Sequence, residues 1–285
     1  MQRLIVPRRW PGAASGRGLN MEGRVDAHFH SNRRDPMPYH RTRDGARLHF
    51  RIQGSGTPAM IFIHGWCSNL RHWDFQARRF AHDHKVLRID RRGMGRSTSP
   101  DPGKGGTAKR HAEDIALVAR KNGIRNAIVV GHAGGGPTTL EFARSYPDLV
   151  KAVVMVDAGL YAKRAFDKTV AEPLATEEGF RKRYSTFFGP NCDPAVSERA
   201  IAEAVRTPSE VAIDELRNVS INTQAIGRQV KQPVLWVTAN AADQAYISSV
   251  LKNVEFGQVV GSGHFVQLEV PEQLNPMIDS FLTRL

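Results

Sequence analysis

Cysteine is scarce in this sequence, with Cys67 and Cys192 the only two among 285 residues. Two isolated cysteines form neither a disulfide framework nor a cysteine metal cluster, and they fit a reducing compartment. The HExxH metal motif is absent, and no Gly-Lys-Ser/Thr follows a glycine-rich turn, which argues against zinc-protease and nucleotide chemistry. We therefore expect a protein that uses no metal and no organic cofactor.

Long apolar runs are also missing. No stretch approaches the ~18 to 20 residues of a membrane span, and no apolar segment follows Arg8-Arg9 near the amino terminus. We accordingly expect a cytoplasmic protein without a membrane partner. The 41% of hydrophobic residues over 285 positions predicts a substantial core, organised as one α/β domain with an insertion.

The net charge of +12 raises the question of nucleic acid binding. Such binding requires clustered basic residues in a recognisable motif, and here the arginines are spread along the whole chain. We expect a solvated basic surface and no nucleic acid partner. Weak attraction of an anionic substrate remains compatible with this charge.

The pattern of apolar residues changes near residue 40. Residues 1–40 lack apolar periodicity and predict an irregular extension. The alternating residues from Arg47 and the apolar run 59–63 then predict two strands of a hairpin, joined through Gly54-Ser55-Gly56.

Short apolar strands then alternate with longer helical stretches. This order predicts a mostly parallel sheet that is covered by helices on both faces. In the predicted helix 108–121, Ala112, Ile115 and Ala119 form one stripe, which is typical of core packing. The alternation stops after the strand at 152–156.

Residues 159–229 contain helix-forming stretches without a convincing strand. They predict a helical cap over the carboxyl edge of the sheet, which leaves 41–158 and 230–285 as the core. The cap is rich in aromatic residues, namely Phe166, Phe180, Tyr184, Phe187 and Phe188.

The most informative segment is Gly131-His132-Ala133-Gly134-Gly135, which lies between an apolar strand and a helix-like stretch. It has the pattern of a nucleophile elbow, in which a strained turn projects the middle residue over the end of the sheet. That residue is Ala133. Glycine would adopt a positive φ at lower cost, so the alanine indicates a serine position without its hydroxyl oxygen.

Two explanations compete for Ala133. The substitution is either a deliberate inactivating change in an enzyme or a natural loss of chemistry in one family member, and we favour the first because the remaining machinery is present. A glycine-rich turn without function is the third interpretation. The elbow alone is weak support, so the other motifs decide its meaning.

Four motifs occur in the chain order of the α/β-hydrolase superfamily, which residues 45–285 resemble. They are His64-Gly65-Trp66, the segment Asp90-Arg91-Arg92-Gly93-Met94-Gly95-Arg96-Ser97, the elbow, and Gly261-Ser262-Gly263-His264-Phe265. The resemblance implies that His264 is the base that activates a serine at position 133. It also implies that the backbone N–H groups of Trp66 and Gly134 form an oxyanion hole.

The acid of this triad has two candidates. In the family it usually follows the strand after the cap, where Asp243 is the only carboxylate, although the segment departs from the common G-x-x-D pattern. Asp157, at the end of the strand after the elbow, is the alternative. We favour Asp243, and the order of serine, acid and histidine permits either.

The resemblance implies a serine hydrolase that cleaves a carboxylic ester or lactone in a small molecule, inactive here as the Ala133 form. A cofactor-free oxygenase that uses a His–Asp pair and a non-catalytic ligand-binding homologue are the alternatives, because fold alone does not fix function. The pocket candidates are Trp66, His132, Phe187 and Phe188. A homo-oligomer is left open.

Overall fold

An eight-stranded sheet runs through the protein in the computed structural model, which describes residues 38–162, 172–218 and 222–285. Its strands are β1 (Tyr39–Arg41), β2 (Arg47–Gln53), β3 (Met60–Ile63), β4 (Val86–Ile89), β5 (Ala127–His132), β6 (Val150–Val156), β7 (Val234–Thr238) and β8 (Val254–Gln258). They lie in the order β1-β2-β4-β3-β5-β6-β7-β8. Strands β3 to β8 are parallel, which confirms the predicted mostly parallel sheet.

Ten α-helices lie in the described residues. They are α1 (Asp74–Phe80), α2 (Ala108–Lys121), α3 (Gly135–Ser145), α4 (Glu177–Ser185), α5 (Pro194–Ala204), α6 (Ser209–Asn218), α7 (Thr223–Gly227), α8 (Gln244–Val250), α9 (Val266–Glu269) and α10 (Pro271–Leu282). A short 3₁₀ helix, Leu70–Trp73, precedes α1. No described helix combines the length and apolarity needed to cross a bilayer.

Helices cover both faces of the sheet because buried strands place alternate side chains on opposite sides. On β3, Ile61 and Ile63 pack in the cluster that holds α2, α3 and α8. Met60 and Phe62 face the cluster that holds α1 and α10. The stripe predicted on α2 is buried in the first of these clusters, as expected for core packing.

The predicted hairpin is wrong in its pairing. Strands β2 and β3 form as expected, but β4 lies between them and pairs with both. The connection at 54–59 is therefore a crossover between non-adjacent strands, and β2 forms its hairpin with β1 instead. Strand β1 starts at Tyr39, within the extension predicted over residues 1–40, and residues 1–37 of that prediction lie outside the described part of the chain.

The stretch between β6 and β7 is helical in its described residues, as the sequence indicates. Helices α4, α5 and α6 bury a separate apolar cluster with Cys67 and Phe265, which lie on loops at the carboxyl ends of β3 and β8. The sequence did not predict α7, which contacts α3 and α8 and so packs on the sheet side of this segment. Phe166 lies outside the described residues.

Candidate active site

The turn from β5 to α3 holds Ala133 in the left-handed region, with φ at 48°. Its N–H donates to the Val156 carbonyl at 3.1 Å, and its own carbonyl accepts from the Gly136 N–H at 2.9 Å. A Cβ on Gly135 would lie 2.6 Å from the His64 carbonyl oxygen, so only glycine fits there. These contacts enforce a conformation that is unfavourable for a residue with a Cβ.

Backbone strain is concentrated at one edge of the sheet. Three of the four described non-glycine residues with positive φ lie there: Ala133, Cys67 (48°) after the loop that follows β3, and Asp157 (42°) directly after β6. The fourth, Asn126, precedes β5 at the opposite edge. Non-glycine residues in this region cluster at functional sites, because the surrounding structure must hold them there. The carboxyl edge of the sheet is therefore the candidate site.

A histidine–carboxylate pair lies at this edge. The Nδ1 atom of His264 is 2.5 Å from Oδ2 of Asp157, and the other oxygen, Oδ1, accepts from the Ala239 N–H at 2.9 Å. His264 remains 30% exposed and Asp157 16% exposed. With its Nδ1–H donated to the carboxylate, His264 presents Nε2 as a proton acceptor.

His264 lies directly against the elbow. The Nε2 atom of His132, the residue before Ala133, is 2.8 Å from the His264 carbonyl oxygen. The two imidazole rings are 4.7 Å apart between centroids. Burial, with the nearby His264 as a smaller contribution, holds the pKa of His132 well below its usual value. His132 therefore acts as a neutral donor that fixes the backbone beside His264.

The loop after β3 approaches the elbow closely. A Cβ on Gly134 would lie 3.1 Å from the Trp66 nitrogen, so the backbones of the two residues are neighbours. Within the described residues, neither the Trp66 N–H nor the Gly134 N–H donates a hydrogen bond. Two adjacent unpaired donors at a strained turn can bind a carbonyl oxygen that gains negative charge.

His64 supports this loop from beneath. Its Nε2 accepts the Arg91 backbone N–H at 2.8 Å, so Nδ1 carries the proton and donates to the Gly65 carbonyl at 2.9 Å. Burial, followed by the charge of Arg91, holds the pKa of His64 well below its usual value. His64 is fully buried, and its two hydrogen bonds hold the backbones of Gly65 and Arg91 in place.

An ion pair connects the loop after β3 to helix α6. The Arg91 guanidinium contacts the Glu215 carboxylate, and its Nη2 donates to the Gly65 carbonyl at 2.6 Å. Both charged side chains are buried. Trp66 adds a second link, because its Nε1–H donates to the Ala212 carbonyl of α6 at 2.9 Å. Helix α6 is thus bonded to both sides of the loop.

Aromatic side chains surround the remaining side of the site. Trp66 stacks on Phe180 at 5.5 Å, and Phe187 lies 5.4 Å from the His264 ring. The Phe187 carbonyl also accepts the His264 N–H at 2.7 Å. The helical segment therefore positions the histidine as well as covering it.

Comparisons with known proteins identify the family of this chain. The family model described as alpha/beta hydrolase fold matches residues 58–192. The chain is 30% identical over 257 residues to the 2-(acetamidomethylene)succinate hydrolase of Mesorhizobium japonicum, covering 82% of this chain and 91% of that protein. The chain belongs to the α/β-hydrolase superfamily.

Two further comparisons give lower identities over most of the chain. Epoxide hydrolase 1 of Caenorhabditis elegans is 26% identical over an alignment of 285 positions, covering 84% of this chain and 68% of that protein. The crystal structure of a hydrolase from Pseudomonas aeruginosa superimposes with a TM-score of 0.78 at 23% identity, covering 88% of this chain and 99% of that chain. The named relatives are all hydrolases.

The preference for Asp243 as the acid of this α/β-hydrolase chain is at odds with the geometry. Asp243 is the N-cap of α8, and its Oδ1 accepts the Tyr246 N–H at 2.9 Å. It is exposed, whereas Asp157 contacts His264 directly. An aspartate just before a helix is a common capping residue, and that signal was present in the sequence. The geometry therefore favours the alternative, Asp157.

The pocket candidates divide into three kinds. Trp66 and Phe187 are half-buried and contact each other, and Phe187 also contacts His264, as a pocket wall requires. Phe188 stacks on the buried Phe265 at 4.7 Å, so it packs the base of the helical segment. His132 is only 1% exposed, and this burial makes it a support of the site and not a lining residue.

Sequence reasoning missed Glu215 and the role of Arg91. Arg91 lies within a recognised motif, but the motif does not say which carboxylate it meets. Glu215 resembles any solvent-facing residue of an amphipathic helix. Its partner is 124 residues away in sequence, a relationship that no local pattern reveals.

Proposed function

We propose that this is the site of a serine hydrolase for a small-molecule carboxylic ester or lactone, with Ala133 in the position of the nucleophile. The observation that carries the proposal is the strained, positive-φ Ala133 beside a His264–Asp157 pair. Nucleophile elbows use this backbone conformation to expose a reactive side chain. An alanine side chain has no reactive group, so its exposure by a strained backbone brings no catalytic advantage.

The chemistry of the serine form follows from the contacts. A hydroxyl on residue 133 would lose its proton to Nε2 of His264, while Asp157 fixes the tautomer and stabilises the imidazolium. The oxygen would attack the carbonyl carbon, and the resulting oxyanion would accept from the Trp66 and Gly134 N–H groups. The imidazolium would then protonate the leaving alcohol, and water would release the acid by the reverse sequence.

With alanine at residue 133, the acyl-enzyme cannot form. The carbonyl-binding N–H groups and the aromatic wall do not depend on the missing oxygen. We therefore expect the present chain to bind an ester or lactone and to release it intact. None of these steps requires a metal or an organic cofactor.

A second candidate, a cofactor-free oxygenase, also fits one observation. The His264–Asp157 pair is complete without a serine, so it could remove a proton from an aromatic substrate. In such an enzyme Ala133 would not abolish the chemistry. Activity of the unmodified chain towards such substrates would favour this function over ester cleavage.

The test is turnover of a panel of short p-nitrophenyl esters and lactones by the chain before and after Ala133→Ser. We expect no turnover before the change and turnover with an initial burst after it, because an acyl-enzyme forms before water releases it. Ala133→Gly is the matched control, since it alters the same position without adding a nucleophile. Equal inactivity of the serine and glycine variants across the panel would contradict the proposal.

A further inference from the structure

A cavity of about 150 Å³ lies between the helical segment and the core. On one side it is bounded by the end of α5 and the connection to α6, and on the other by the loops that follow β3 and β4. Neither His264 nor Ala133 lines it. It is therefore distinct from the candidate active site, although both open at the same edge of the sheet.

The lining of this cavity is strongly basic. Four arginines contribute to it, namely Arg51, Arg71, Arg96 and Arg206. Two carboxylates, Asp90 and Glu203, also line it, so the arginines outnumber the carboxylates by two. A concave basic site with planar, multiply donating guanidinium groups suits an oxyanion.

The two carboxylates are already engaged by the protein. Asp90 accepts the Leu70 N–H at 2.7 Å through Oδ1 and the Arg96 N–H at 2.8 Å through Oδ2. Glu203 accepts from Arg71 at 2.7 Å and from Asn69 at 2.7 Å. These bonds hold the negative charges in place and set the shape of the cavity. Among the described residues, no carboxylate pairs with the guanidinium group of Arg51 or of Arg206.

His49 supplies an independent indication of a ligand. It lines the cavity, is 2% exposed, and lies 2.7 Å from Asp90 through Nδ1. Its buried Nε2 atom has no hydrogen-bond partner among the described residues. A buried polar atom without a partner is costly, and a ligand oxygen in the cavity would supply the missing hydrogen bond.

We propose that this cavity binds a phosphate group. A phosphate carries about −1.5 to −2 charges at pH 7, which matches the surplus of two arginines. Its oxygens accept from several guanidinium groups at once. Towards Nε2 of His49 it can act in either sense, accepting from an imidazolium or donating a P–OH proton to a neutral ring. The volume exceeds the ~30 Å³ share of a single water several-fold.

Occupation of the site would join two parts of the molecule. Arg206 belongs to the connection between α5 and α6, whereas Arg51 lies on β2 of the core sheet. A phosphate bound by both would fix α6 against the core. Helix α6 also contacts Arg91 through Glu215, and Arg91 binds the loop after β3. Helix α6 therefore connects this cavity to the candidate active site.

Isothermal titration calorimetry with inorganic phosphate and with glycerol 3-phosphate, at ionic strength matched with sodium chloride, tests the proposal. We expect saturable one-to-one binding, and the tighter of the two ligands identifies whether the phosphate is free or carried on a small molecule. Arg51→Gln and Arg206→Gln should each weaken binding about tenfold, because each removes a charge-assisted donor. Both side chains belong to exposed residues, so the fold should tolerate the changes.

Arg125→Gln is the matched control, since Arg125 is exposed just before β5, at the opposite edge of the sheet. It removes the same charge and should leave the dissociation constant unchanged. Absence of saturable binding for both ligands would overturn the proposal. Equal weakening by all three substitutions would also overturn it, because it would show attraction by net charge alone.

Discussion

His264 and Asp157 are 107 residues apart in sequence, yet their side chains meet at 2.5 Å at the carboxyl edge of the sheet. In the Ala133→Ser background, Asp157→Asn should lower kcat by about 10³- to 10⁴-fold, because the amide favours the wrong histidine tautomer. Steady-state ester hydrolysis measures the effect.

Asp243→Asn is the control for that change. Asparagine caps a helix as well as aspartate does, so the N-terminus of α8 should keep its bond and kcat should stay within about twofold. If Asp243→Asn gave the larger loss, the acid would be Asp243 and the pair seen here would be structural.

Phe187 and Phe188 should behave differently although they are adjacent. Phe187 faces His264 and Trp66, so Phe187→Ala should change kcat/KM for bulky and small acyl groups by unequal factors, because pocket contacts set specificity. The measurement is kcat/KM of the Ala133→Ser form across acyl lengths. A common factor for every substrate would place Phe187 in the packing of the helical segment instead.

Phe188→Ala is the companion variant. Its ring stacks on Phe265, so the change should lower the free energy of unfolding by about 2 kcal/mol, less than for a fully buried phenylalanine, with little change in substrate preference. Urea denaturation measures it. A shift in acyl preference without loss of stability would be inconsistent with this packing role.

Glu215 should affect catalysis without touching the substrate. In the Ala133→Ser background, Glu215→Gln removes the charge that pairs with Arg91, and Arg91 then positions the Gly65 carbonyl less firmly. The proposed oxyanion donor at the next residue, the Trp66 N–H, therefore loses its fixed position. We expect kcat to fall about tenfold to a hundredfold with KM nearly unchanged. Glu210→Gln, at an exposed position of the same helix, should change neither constant. A fall in stability alone, with kcat intact, would count against this role.

Acid should destabilise the fold through four buried histidines, His64, His72, His111 and His132. Burial lowers the pKa of each below the ordinary value of 6.5, to about 3 for His72. Below pH 6.5 these histidines are therefore protonated in the unfolded chain but remain neutral in the folded chain, so stability falls as pH decreases. Between pH 6.5 and 5 the unfolded chain should come to bind about four more protons than the folded chain. The free energy of unfolding should then fall by about 5 kcal/mol for each pH unit.

His72→Asn separates this effect from the titration of carboxylates. Removing one titrating group should reduce the slope by about one proton, or about 1.4 kcal/mol per pH unit, whatever the stability at pH 7. Urea denaturation at several pH values gives both slopes. An unchanged slope in the variant would mean that His72 is protonated in the folded protein.

Local sequence patterns were sufficient to predict most helices and strands and to select some of the residues that meet at the candidate site. The strand–turn–helix around Ala133 and the loop of His264 carry glycine spacings that only a few backbone geometries satisfy. Pairing between strands was harder. The sequence shows that β2 and β3 are consecutive, but not that β4 enters between them, because the partner of a strand is chosen by the whole sheet.

The choice between the two carboxylates could not be made from local patterns for a related reason. Asp243 and Asp157 each follow a strand of the same parallel sheet, so both reach the same edge. Only the three-dimensional arrangement shows that Asp243 turns back to cap α8, whereas the strained backbone of Asp157 directs its carboxylate to His264. Long-range partners such as Arg91 and Glu215 carry no local signal at all.

The most direct test of the central claim is covalent labelling at residue 133. The Ala133→Ser variant is treated with a fluorophosphonate, and the intact mass is measured beside those of the unmodified chain and of Ala133→Ser/His264→Ala. We predict one adduct per molecule in Ala133→Ser, at residue 133, and none in the other two, because the serine needs His264 as its base. Absence of an adduct in the folded Ala133→Ser variant would contradict the assignment of Ala133 as the nucleophile position.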